Sequence, residues 1–163
     1  MTLRPVWLRS RIYALFYRLP KVLRGHLVRW LTPNYTVGAV VLLRDADDRL
    51  LLVRQPRAHR WSLPGGLAAR REDPAHTAAR ELAEEVGVRL EASELTPAHP
   101  NARVNAHSQQ VDMVFTARVS PDAVLTTDPA EISEARWYHP QQLPPLTAPT
   151  RQLLALYRLT PSA

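Results

Sequence analysis

Three glutamates, Glu81, Glu84 and Glu85, stand at i, i+3 and i+4 between Gly66 and Val88. On a helix that spacing places three carboxylates on one arc of about 100°. Like charges so close repel, and each makes its neighbours harder to ionise. A cation among them relieves the repulsion, and hard carboxylate oxygens suit Mg²⁺ or Mn²⁺. Glu72 precedes the three, so half of the chain's eight glutamates fall within these 23 residues. The chemistry indicated is that of a divalent cation held by carboxylates.

The surrounding residues specify the helix that must carry them. Asp73 suits the N-cap and Pro74 the first helical position. Ala75, Ala78, Ala79, Leu82 and Val86 form an adjoining apolar face. Arg80 precedes Glu84 by four residues and can pair with it, steadying that carboxylate. Gly87 supplies a C-terminal stop. Pro64-Gly65-Gly66 forms a loop whose backbone can approach a ligand closely. A glutamate-rich helix alone is usually a solvated surface. The flanking glycines and arginine set this one apart.

Gly66, Glu72, Arg80-Glu81-Leu82, Glu84-Glu85 and Gly87-Val88, with their intervals, resemble the Nudix box of the Nudix hydrolases at every defining position. Trp61 to Gly66 (WSLPGG) and Glu134 to Trp137 (EARW) also look like that family. The resemblance implies a loop-helix-loop metal site that hydrolyses a nucleoside diphosphate linked to another group. It implies ligation by Glu81, Glu84 and Glu85, with the backbone carbonyl of Gly65 or Gly66 as a further donor. Glu84 or Glu85 also orients the attacking water, and the spacing does not separate ligand from base. Glu72 braces the loop. Family members often draw one more acidic group from outside the box; Glu131 is the first candidate and Glu134 the second.

Arg54, Arg57 and Arg60 precede the box with Gln55 and His59. Guanidinium forks match phosphate oxygens, so these arginines are candidates to hold a diphosphate. A solvated basic loop is the plain alternative. Asn101, Arg103, Asn105 and His107 are further polar candidates for substrate selection.

Length and charge bound the rest. A chain of 163 residues is long enough for one domain with a sizeable core. It has no cysteine, hence no disulfide and no thiolate metal site, and a cytoplasmic location is expected. Of its 21 basic residues, 20 are arginine. Residues 1–34 hold seven basic and no acidic residues, a charge of +7; residues 35–163 hold 14 basic and 15 acidic, a charge of −1. Residues 4–31 read as one or two amphipathic helices. Leu8, Ile12, Leu15, Phe16, Leu19 and Leu23 form a stripe, Arg4, Arg11, Arg18 and Arg29 a flank, and Pro20 a break. Arginines interrupt any apolar run, which argues against a signal peptide or a membrane span. Packing on the domain or on a second subunit, giving a homodimer, is one expectation; peripheral contact with an anionic membrane is another. No nucleic-acid partner is expected, since the arginines follow no recognisable motif.

Residues 35–163 should then form the catalytic domain. Tyr35 to Leu43 reads as a central strand, Asp45 to Asp48 as a plain turn and Arg49 to Arg54 as its hairpin partner. A short strand is expected over Arg89 to Leu95 and a loop over 96–109. Further strands are expected over Gln110 to Val119 and Glu131 to Tyr138, with a closing helix over Thr150 to Leu159. Asp112 within a strand needs a partner if it points inward. The fold class is an α/β/α sandwich around a mixed β-sheet, with an N-terminal amphipathic helical extension. The box helix should lie on the sheet with its glutamate edge toward solvent. The expected activity is Mg²⁺-dependent (or Mn²⁺-dependent) pyrophosphohydrolysis of a small nucleotide, a nucleoside triphosphate or nucleotide sugar. The rival is a nucleotide-sensing Nudix domain without catalysis, docked on a partner or membrane through its N-terminal helix.

Overall fold

A computed structural model describes residues 6–120 and 123–159. Two units divide the chain, one running to Tyr35 and the other starting at Thr36. The first holds two helices, α1 (Val6–Arg18) and α2 (Lys21–Leu31), separated at Pro20 as the sequence predicts. Arg4, from the expected basic flank, lies outside the described residues. None of the described side chains of this unit is buried.

The second unit is built on β1 (Thr36–Arg44), β2 (Leu50–Arg54), β3 (Gly65–Leu67), β4 (Thr96–Asn105), β5 (Gln110–Arg118) and β6 (Glu134–Tyr138), with helices α3 (Pro74–Val86) and α4 (Ala148–Leu156). The sheet order is β4-β5-β1-β2-β6, and β3 pairs with β1. β1 and β5 are parallel and the other pairs antiparallel, so the sheet is mixed. β1 occupies the centre, which explains its apolar residues on both faces. Ala39, Val41 and Leu43 join Leu51 and Val53 in a core with Ala78, Leu82 and Val86 of α3. Leu42, Leu50 and Leu52 face the other way, toward Trp61, Leu63 and Leu153 and Leu154 of α4. The result is the expected α/β/α sandwich.

The local chemistry of α3 follows its sequence. The Asp73 side chain accepts from the Ala75 N–H at 2.9 Å, and Pro74 opens the helix. Gly87 closes it at φ 73°, a left-handed conformation that suits glycine. The Asp45 turn is closed internally. Asp45 is fully buried and accepts from the backbone of Asp47 and Arg49 and from Arg49 Nε at 2.7 Å. Such a carboxylate is a hairpin cap.

Three expectations are corrected. Residues 96–109 hold strand β4 rather than a loop. Its prolines, Pro97 and Pro100, are tolerated because β4 is an edge strand, and its pairing shifts register between Pro97 and Ala102. Arg89 to Leu95 is no strand. It contains a 3₁₀ turn, Ala92–Glu94, held by a reciprocal capping box between Glu91 and Glu94. The last strand starts at Glu134, leaving Glu131 in the turn before it.

Leu82 is fully buried between α3 and the sheet. Leu82→Ala should lower unfolding free energy by about 3 kcal/mol through the lost contacts and the cavity. Urea titration of the two proteins checks this. A loss under about 1 kcal/mol would mean that the site collapses around the gap.

Candidate active site

The geometry starts from two glycines. Through β3, Gly65 and Gly66 lie against Val40 and Ala39 of β1. This anchors the loop to the centre of the sheet, opposite α3. The Gly65 N–H donates to Glu85 Oε2 at 2.9 Å. A Cβ built on Gly66 would displace the Glu81 carboxylate, and one on Gly65 would overlap the Ala39 carbonyl of β1, so the backbone approach requires glycine at 65.

The glutamate edge of α3 is therefore not turned to solvent as expected. Glu85 is 6 % exposed, and the Glu81 side chain 12 %; Glu84 alone of the three is largely open. The physical reason is the close approach of the glycine loop over the first two. Burial pushes the Glu85 carboxyl up to about 7 despite the Gly65 hydrogen bond, with the charges of Glu81, Glu131 and Glu84 acting in the same direction. Burial also raises Glu81, against the opposing pull of Arg80.

Arg80 is the counter-charge. Its Nη1 lies 2.8 Å from both Glu81 Oε1 and Glu84 Oε2, and its Nε donates to Glu72 Oε1 at 3.0 Å. Its Nη2 reaches the Leu67 carbonyl at 3.2 Å. Glu72 also accepts from the Ala69 N–H and the Thr77 hydroxyl. The Arg80 hydrogen bonds hold Glu72 down to about 2. Glu72 thus closes the 67–73 loop and orients Arg80. Among the described residues, no three acidic or histidine side chains converge as a chelating group. The donor chemistry nevertheless suits a divalent cation. Hard oxygens are concentrated beside the loop, and two carboxylates resist ionisation.

Glu131 is exposed in the turn before β6, and its charge acts weakly on Glu81 and Glu85. Glu134 instead pairs with Arg54 and Arg136. Arg54, Arg57 and Arg60 are differently engaged. Arg54 lies 5.4 Å over the Trp61 ring besides its pair with Glu134. Arg57 is an exposed turn residue. Arg60 donates to the Leu146 carbonyl at 3.1 Å and lines an open cleft of ≈ 340 Å³ with Arg151.

A polar network beside the loop is the part that sequence reasoning missed. Asp112 of β5 is 5 % exposed and accepts from Gln110 Nε2 at 2.7 Å and from Arg103 Nη1 at 3.4 Å. Arg103 continues to Gln152 of α4. A Cβ on neighbouring Gly38 would lie 3.1 Å from the Gly66 carbonyl and 3.5 Å from Asp112, so the network adjoins the glycine loop. Its signal was the inward Asp112 itself. Its partner Arg103 was hidden because β4 was expected to be a loop. A second hollow of ≈ 400 Å³ beside Glu84 is lined by Gly87, Arg89 and Thr126 to Asp128. The roomier ≈ 500 Å³ hollow around Arg44 and Arg118 sits at the other end of β1 and contains none of the α3 carboxylates.

Comparison with known proteins agrees with this geometry. The family description "NUDIX domain" matches residues 34–157. A MutT-like protein of Streptomyces ambofaciens is 31% identical over 111 residues, 68% of either chain. A CMP-5'-(N-acetyl-N-hydroxy-3-aminopropyl)phosphonate hydrolase of Streptomyces rubellomurinus is 36% identical over 108 residues, 61% of this chain and 50% of that one. The crystal structure of a MutT NUDIX hydrolase from Burkholderia pseudomallei superposes with a TM-score of 0.61 at 28% identity, over 75% of this chain and 97% of that one. The chain belongs to the Nudix family of hydrolases, which act on nucleoside diphosphate-linked moieties and generally use divalent metal ions.

The buried carboxyl has a measurable consequence. Glu85 holds its proton more tightly folded than unfolded. Its contribution to stability is full below the ordinary 4.5 and is lost as pH rises through about 7. Chelator-treated protein should therefore melt at falling temperature from about pH 5 to about pH 8, and Glu85→Gln should remove much of that fall. Calorimetry across the range checks it. Equal slopes for the two proteins would refute the assignment.

Proposed function

We propose that the protein is a Mg²⁺- or Mn²⁺-dependent pyrophosphohydrolase that cleaves the diphosphate linkage between a nucleotide and a second group. The observation that carries this reading is Glu81 and Glu85 packed against Gly66 and Gly65, with the more open Glu84 joined to Glu81 through Arg80. The phosphonate hydrolase relative acts, by its name, on a CMP-linked compound. That supports a substrate with a nucleotide on one side of the linkage and a different group on the other; a nucleoside triphosphate and a nucleotide sugar both fit this description.

In this reading Glu81, Glu84, Glu85 and the Gly65 carbonyl hold the cation. When bound, the cation offsets diphosphate charge and acidifies water. The chain's own residues do the remaining work. Arg80 fixes Glu84 and, through Glu72, the loop that presents Gly65. Glu84 or Glu85 also orients the attacking water and takes up its proton. Glu131 serves as the acidic group outside the box. Arg54, Arg57 and Arg60 offer guanidinium groups to the phosphate oxygens before and after cleavage.

The test is a panel of nucleoside diphosphate and triphosphate compounds with Mg²⁺ or Mn²⁺, read by phosphatase-coupled phosphate release. Wild type should turn over one compound class, and Glu85→Gln should keep the fold while losing at least about a hundredfold in turnover. Near wild-type turnover in Glu85→Gln would remove its assigned role. No turnover across the panel, with nucleotide binding retained, would favour a sensor.

A further inference from the structure

We infer that residues 6–31 form a docking surface for an anionic lipid bilayer, lying on it rather than crossing it. The inference concerns the first unit alone and does not depend on the hydrolase reading. α2 is amphipathic in a definite sense. Leu23, Leu27, Trp30 and Leu31 fall on one arc of about 100°, while Lys21, Gly25 and Arg29 take the opposite side together with Val22 and Val28. Three of the four residues on the first arc are more than half exposed, Trp30 at 84%. In α1, Leu15 and Tyr17 are exposed at 67% and 68%. Arg24 lies 5.5 Å over the Tyr17 ring, linking the two helices across Pro20. With no buried residue among those described, the pair has no core of its own.

Charge selects what covers these apolar arcs. Residues 1–34 carry +7 without one acidic residue. A second copy would set +7 against +7. Residues 35–163 carry only −1. A bilayer rich in anionic headgroups offers both complements at once, acyl chains for the leucines and tryptophan and negative charge for the arginines and lysine. Aromatic rings such as those of Tyr13, Tyr17 and Trp30 suit the headgroup boundary. Among the described residues no helix is long and apolar enough to cross the membrane, which agrees with a surface position.

The experiment is co-sedimentation of the full chain with vesicles of pure phosphatidylcholine and with vesicles containing about a third phosphatidylserine. Partition should be at least about tenfold stronger on the anionic vesicles and should fall as salt rises from about 0.1 M to about 0.5 M. Neutralising Arg18, Lys21 and Arg29 together to glutamine should weaken it about a hundredfold, at about fivefold per charge. Leu23→Ser with Trp30→Ser, at unchanged charge, should weaken it at least about tenfold. Circular dichroism and thermal melting establish that each variant is folded. Absent binding, or equal binding to both vesicles, would overturn the inference. So would a stable dimer, seen by light scattering, that the Leu23/Trp30 change splits.

Discussion

One hydrogen bond sets the architecture of the catalytic corner: the Gly65 N–H to the buried Glu85 carboxylate. It joins the last turn of α3 to a loop that is itself paired with the central strand. A carboxylate with little solvent access is unfavourable unless something compensates for its burial. Here the compensation is one backbone donor and a raised affinity for protons. The domain thus keeps a strained electrostatic arrangement where a purely structural helix would have placed an apolar side chain. Such placements cluster at functional sites.

Arg80 and Glu72 carry the order outward from that bond. A single guanidinium touches three carboxylates and a loop carbonyl, so the loop and the helix cannot move independently without breaking several charge-assisted hydrogen bonds. Asp73 and Gly87 fix the two ends of the same helix. The sandwich does the rest by gripping α3 on its apolar face and leaving the opposite face of the sheet to α4. On that side Asp112, Arg103, Gln110 and Gln152 bring polar groups to the edge of the glycine loop.

How much of this was legible depended on whether the signal was local. Caps, apolar spacing and the Arg80–Glu84 pair are encoded within one helix and could be read directly. So could the central position of β1, from apolar residues on both faces. β4 could not, because its two prolines mimic a loop and only its edge position makes them acceptable. With β4 misread, Arg103 had no visible partner and Asp112 had an unmet need. The burial of Glu81 and Glu85 was also invisible, since it comes from a glycine loop brought over them by pairing with β1. Helix amphipathicity says which side is polar, and not what lies above it.

The parallel pairing of β1 with β5 bears on the order in which the molecule assembles. β1, β3 and α3 are near neighbours along the chain, so the catalytic corner closes through short loops. β5 must reach β1 from far away, Thr36 meeting Gln110, and it brings β4 with it. Loop-closure entropy makes such distant pairings the slower step. The half of the site that carries the glutamates thus rests on shorter-range contacts than the half that carries Asp112 and Arg103. A change at Asp112 or Arg103 therefore leaves the hydrogen bond between the glycine loop and α3 in place.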